Sequence, residues 1–141
     1  MDKIIEKAIN VNSDEFYLVE PELFQLFYTQ KNKPDFIIAF LGVSSWRGTS
    51  LRSGVWTYYE ATDKTEVDKI ISFLQKYAQD NELAYWFLLG NHDYDKYRSD
   101  YSYPQEWMDE SDMIDKWISE NETNISDFLQ KILKENRGYF E

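Results

Sequence analysis

A mainly α, single-domain helical bundle spanning residues 1–141 is the fold class this sequence predicts, and three observations carry it. Apolar residues recur at three- and four-residue spacing in five separate stretches, the pattern of helices that each bury one face. Asp63-Lys64-Thr65-Glu66 has the spacing of a capping box ahead of the clearest of these stripes. Candidate strands are few. Residues 36–43, 55–59 and 83–89 are short apolar or aromatic runs whose periodicity does not separate a buried helix from a strand, so an α+β fold with a small sheet built from them is the alternative.

Taken in order, Ile4, Ile5, Ala8 and Ile9 make a short amphipathic first helix. Pro21 suits the first turn of a second, with Leu23, Phe24 and Phe27 on one face. Pro34-Asp35 opens the run at 36–43. Residues 42–54 are rich in Gly, Ser and Thr and read as a loop, although Trp46, Leu51, Arg47 and Arg52 lie within it. Residues 55–59 have strand-like composition. After Asp63, the residues Val67, Ile70, Ile71, Leu74, Tyr77 and Ala78 form the strongest helical stripe. The run at 83–89 closes on Gly90-Asn91. Met113, Ile114, Trp117 and Ile118 follow Ser111 as another stripe; Ile125, Phe128, Leu129, Ile132 and Leu133 form the last, with Asn124 as its cap and Gly138 as its terminator.

Composition narrows the function. With 43% hydrophobic and 18% aromatic residues the chain can build a core rich in rings. The absence of cysteine removes disulfides, thiolate nucleophiles and Cys-based zinc sites together, and fits a reducing compartment. Residues 1–7 alternate charge with apolar side chains and lack the apolar core of a signal peptide; no apolar run reaches membrane-spanning length. A cytoplasmic protein is the expectation. A net charge of −11 without a Lys/Arg cluster argues against direct contact with nucleic acid or an anionic membrane.

The negative charge is unevenly placed. Between Asn91 and Asp127 there are eleven carboxylates and three basic residues, Lys96, Arg98 and Lys116. Tyrosines and tryptophans are interleaved with the acids. A field of one sign steers partners of the opposite sign, and rings supply anchoring area at low entropic cost. The stretch reads as a surface for a basic protein partner, with Asp93, Asp95, Asp100, Tyr101, Tyr103, Glu106, Trp107, Asp109, Glu110 and Asp112 as the candidate contact residues. The competing reading is a solvated acidic rim around an aromatic core.

Motifs for chemistry are thin. Gly90-Asn91-His92-Asp93 matches the GNHD signature of calcineurin-like metallophosphoesterases, which needs two metals about 3.5–4 Å apart held by several further His and Asp ligands. This chain has one histidine, no Asp-x-His before the motif and no Gly-His-x-His after it. A metallophosphoesterase-like enzyme is therefore the least favoured reading, and His92 reads as a loop or cap residue. No G-x-S-x-G elbow, P-loop or calcium loop is present, and no pair among the many acids is singled out for glycoside hydrolysis. No catalytic residue, metal ligand or cofactor is expected.

Two stretches carry a family likeness. Ser53-Gly54-Val55-Trp56-Thr57-Tyr58-Tyr59, followed by Glu60-Ala61-Thr62-Asp63 and a strong helix, resembles the "Gly-Gly-Phe-x-Gln-Tyr-Phe, small polar turn, helix" segment of the helical family containing the Neisseria-type DNA-mimic protein. Residues 113–121, with Phe128 beyond, resemble that family's closing "Leu-x-x-Tyr-Ile-x-x-Asn … Phe" helix. Ser53, Val55 and Thr57 stand where the family has Gly, Phe and Gln, so no role of that glutamine carries over. The resemblance implies a mostly helical fold and, as in some members of that family, an acidic surface that stands in for DNA phosphates and occludes a DNA-binding regulator. In size, acidity and composition the chain also resembles the immunity proteins that Gram-positive bacteria pair with secreted nuclease toxins, such as the partner of the Bacillus wall-associated toxin. That likeness implies an antitoxin: a stoichiometric inhibitor that fills a basic nuclease cleft with carboxylates and rings.

Overall fold

Helix is the only regular structure among the described residues, 1–99 and 104–141, of the computed structural model. The elements are α1 (Lys3–Asn10), α2 (Glu20–Tyr28), α3 (Asp35–Ser53), α4 (Val55–Ala61), α5 (Lys64–Tyr77), α6 (Glu82–Tyr97), α7 (Gln105–Glu120) and α8 (Glu122–Glu135), with 3-10 turns at Ser13–Leu18 and Arg137–Phe140. The mainly α expectation holds. The small-sheet alternative does not, because its three runs lie in α3, α4 and α6.

α3 is the axis of the bundle. Its 19 residues, about 28 Å at 1.5 Å per residue, pack against α2, α4, α5, α7 and α8. Such a helix must be buried over most of its surface, and Phe36, Ile37, Ala39, Phe40, Leu41, Val43, Trp46 and Ser50 all are, while Gly48 and residues 51–53 near its C-terminal end reach solvent. This overturns the loop expected at 42–54. The serines that suggested a loop have tertiary partners: the Ser44 hydroxyl donates to Glu20, and the Ser50 hydroxyl donates to Asp115. Arg47, also buried, pairs with Glu20 and donates to the Glu122 carbonyl at 3.2 Å and the Ser126 hydroxyl at 2.9 Å, tying α2, α3 and α8 together.

α3 ends at Gly54, whose φ of +94° lies where a side chain would be strained. α4 starts immediately afterwards, and Asp115 reaches across from α7 to accept the Val55 N–H at 2.8 Å. A carboxylate from another helix thus caps α4. Caps within the chain follow the expected chemistry at Asp2, Asp63 and Asn81, which accept from the N–H groups of Ile4, Thr65 and Leu83. At Asp63 the Thr65 hydroxyl and N–H bonds hold the carboxyl below its usual range. Other boundaries move. α7 begins at Gln105, well before Ser111, and Asn121 rather than Asn124 stands at the N-cap of α8. α8 ends at Glu135, and Gly138 lies within the final 3-10 turn. Among the described residues no helix is long and apolar enough to cross a membrane.

Candidate functional site

Among the described residues the acidic stretch is carried by the C-terminal half of α6, by α7 and by the start of α8, with α4 packed behind α6 and α7. α6 does not close at Gly90-Asn91; it runs on to Tyr97. Gly90 is there because Tyr59 of α4 presses on it: a Cβ at this position would lie 2.5 Å from the Tyr59 hydroxyl. That hydroxyl donates to the Phe87 carbonyl at 2.7 Å and accepts from Trp46 Nε1 at 3.1 Å, inside the ring core. Burial pushes the Tyr59 phenol well above its usual pKa, with Tyr58 and Asp93 adding to the effect. Trp56, also on α4, wedges between α6 and α7: its ring centroid is 4.9 Å from that of Tyr94 and 4.2 Å from that of Trp107.

The helical phase sorts the candidate contact residues. Glu106, Asp109 and Asp112 are exposed on α7, and the Asp109 carboxylate accepts from Gln105 Nε2 at 2.8 Å. Asp95 is exposed as well, but Lys64 holds it, with Nζ 2.9 Å from Asp95 Oδ2 and 2.8 Å from Asn91 Oδ1. Trp107 is half-buried against Trp56, and Glu110 is half-buried on the flank of α7. Asp93 is a correction: expected at the partner surface, it is 3% exposed, because it shares the inward face of α6 with Phe87, Gly90 and Tyr97. Asp100, Tyr101 and Tyr103 lie outside the described residues.

The geometry adds residues that sequence reasoning missed. Met108 and Met113, 42% and 53% exposed, sit among the acids on the outer side of α7. Thioethers are soft, adaptable contact groups. Lys116 and Glu120 complete this outer side. Asp115, counted only as one acid of the stretch, is half-buried and structural. Burial raises its pKa, the bonds from Ser50 and Val55 lower it, and the charge of Asp112 raises it again. The signal that could have found this face is the 3.6-residue period carried back from Ile114, Trp117 and Ile118: projected towards Gln105 it separates Asp109 and Asp112 from Trp107 and Glu110.

Glu110 is the electrostatically distinctive member. Partial burial, then the neighbouring Asp93 carboxyl and Glu106, raise its pKa, while Lys96 opposes them. The four residues Gly90–Asp93, read as a metallophosphoesterase-like signature, are not at a strand end. They are a mid-helical turn with the His92 side chain 72% exposed. His92 is thus neither a loop residue nor a cap. Among the described residues no group of three or more His, Asp or Glu side chains is arranged to hold a metal ion. Compared with protein-family models, curated proteins and solved structures, the chain finds no match in any of the three.

Proposed function

We propose that this protein is a stoichiometric inhibitor of the immunity or antitoxin type, which neutralises a basic, nuclease-type toxin domain by covering its phosphate-binding cleft. The observation that carries the reading is the outer side of α7, where Glu106, Asp109, Asp112 and Glu120 stand with Met108 and Met113 around Lys116. Exposed like charges on one rigid helix raise the local concentration of a cationic partner and its rate of encounter. The two thioethers offer apolar contact between the acids, a mixture suited to a protein partner. A nuclease cleft presents Lys and Arg to phosphate, and a helix lined with carboxylates competes for the same groups.

The test is inhibition of a basic nuclease toxin domain, sought first among the products of the genes adjacent to this one. The reading expects complete loss of nucleic-acid cleavage at one equivalent of this protein, with no cleavage by the protein itself. Cleavage unaffected by a several-fold excess would overturn it. Displacement of a DNA-binding regulator from its site, without any effect on the nuclease, would instead identify a DNA mimic.

A further inference from the structure

We propose, resting on the basic partner argued above, that the outer face of α6 over its first turns anchors that partner, taking a segment whose apolar side chains are bounded by Lys and Arg. Residues 83–90, Leu-Ala-Tyr-Trp-Phe-Leu-Leu-Gly, leave this part of α6 without a polar side. A helix of that kind belongs in an interior, whereas a surface helix turns polar residues outward. Here Leu83, Ala84 and Phe87 fill the core, and the side facing solvent is apolar as well. Tyr85 is 60% exposed, and Trp86, Leu88 and Leu89 are partly exposed. Single exposed apolar residues need no explanation; a contiguous set marks a surface that another body covers.

The neighbours of this face define what fits it. Trp86 stacks on Trp117 near the end of α7, with ring centroids 6.1 Å apart, while Tyr94 and Trp107, farther along α6 and earlier in α7, both meet Trp56. The two helices are therefore antiparallel. Met113, one turn before Trp117, stands beside the middle of α6 and extends the apolar face. On the other flank, Ala84, Tyr85 and Leu88 line a groove of about 590 Å³ together with Gln75 of α5 and Gln79 just beyond it. Acids border both sides. Asp80 and Glu82 lie at the groove, Glu82 accepting from Trp117 Nε1 at 3.0 Å. Asp109, Met113, Lys116 and Glu120 follow at helical spacing along one side of α7. Against these four acids the bordering bases are Lys116 and, in a smaller hollow shared with Asp80, Lys131. An apolar centre inside an acidic rim complements an apolar segment with basic borders. A second copy of this chain would instead set such acids against their own kind. The acids of α7 thus govern encounter, and the rings and leucines of α6 govern residence.

The probe is a synthetic helical peptide of leucine and lysine, about five turns long, titrated into the free, isotope-labelled protein at about 0.15 M salt, where surface charges are screened beyond about 8 Å. Two control peptides of the same length carry glutamine in place of leucine, or glutamate in place of lysine. We expect amide shifts concentrated at residues 84–89 and at Met113, with affinity about tenfold or more above that of either control. The double variant Tyr85→Ser, Leu88→Gln, its melting temperature compared with wild type, should lose that advantage; the shift map of the wild type tests the face even if this variant unfolds. Shifts confined to the acids of α7, or equal affinity for either control peptide, overturn the proposal. So does sedimentation of the free protein as a dimer that the double variant separates, which would give the face to a second copy. A basic nuclease domain inhibited as tightly by the double variant as by wild type removes this face from the interface and leaves the proposed function standing. Peptide capture on α6 with no nuclease inhibited does the reverse.

Discussion

Replacing Asp115 with alanine removes one acceptor that serves two donors. The Val55 N–H, in the first turn of α4, and the Ser50 hydroxyl both point at Asp115 Oδ1. Val55 is 2% and Ser50 7% exposed, so water does not readily take the place of the carboxylate. A buried donor left unmade costs about 1–3 kcal/mol, and loss of an N-cap about 1 kcal/mol. The half-buried carboxylate is itself disfavoured by desolvation, which returns part of that cost. The net expectation is a loss of about 2 kcal/mol, or roughly 7 °C in melting temperature at about 2.1 cal/mol/K per residue for a chain of this length. Asp115→Asn keeps the acceptor oxygen and should stay within about 0.5–1 kcal/mol of wild type. Because burial raises the Asp115 pKa, the wild type should lose stability relative to the asparagine variant as pH rises through that raised value. Calorimetric melts of the three proteins at several pH values make the comparison, with exchange of the Val55 amide as a local readout. An alanine variant that melts with the wild type, or an asparagine variant as damaged as alanine, would refute the cap supplied from α7.

Two further predictions concern buried polar groups. The hydroxyl of Tyr58 is buried with no partner among the described residues, and burial drives its pKa far up. Tyr58→Phe should therefore be neutral or stabilising, whereas Tyr59→Phe, which deletes bonds to Trp46 and Phe87, should cost about 1–2 kcal/mol by chemical denaturation. Arg47→Met leaves Glu20 unpaired in a partly buried site and should cost about 3–5 kcal/mol, of which Glu20→Gln in the same chain should restore a measurable part.

Helices with a single buried face were legible in the sequence; a helix buried over most of its surface was not. The stripe from Val67 to Leu74 and the Asp63 cap were read directly because α5 has a solvent side that imposes a period. Residues 36–44 of α3 have no exposed side, so the apolar run there had no phase, and Gly42, Ser44, Gly48, Ser50 and Ser53 passed for turn residues. Gly42 gives Ile70 of α5 room to approach, Ser44 and Ser50 bond to Glu20 and Asp115, and Gly48 and Ser53 are exposed helical positions. The candidate site was legible as charge but not as geometry. Asp93 and Asp95 are two residues apart, yet one is buried and the other holds Lys64. Their separation follows only from knowing that α6 continues past Gly90, a residue that reads as a terminator until Tyr59 is seen against it. The same holds for Glu110 and Asp115, whose neighbours Asp109 and Asp112 face solvent.

Stopped-flow association with a basic nuclease domain that this protein inhibits is the sharpest test of the proposal that the acidic side of α7 captures a basic partner. The comparison is between wild type and the double variant Asp109→Lys, Asp112→Lys, at low salt and at about 0.15 M, where the Debye length is about 8 Å. Both residues are exposed and neither belongs to the core. The double variant should melt close to the wild type, associate about tenfold or more slowly at low salt, and show a flattened salt dependence. Association as fast and as salt-sensitive as that of the wild type would contradict it, and would leave the acids of α7 as a solvated face.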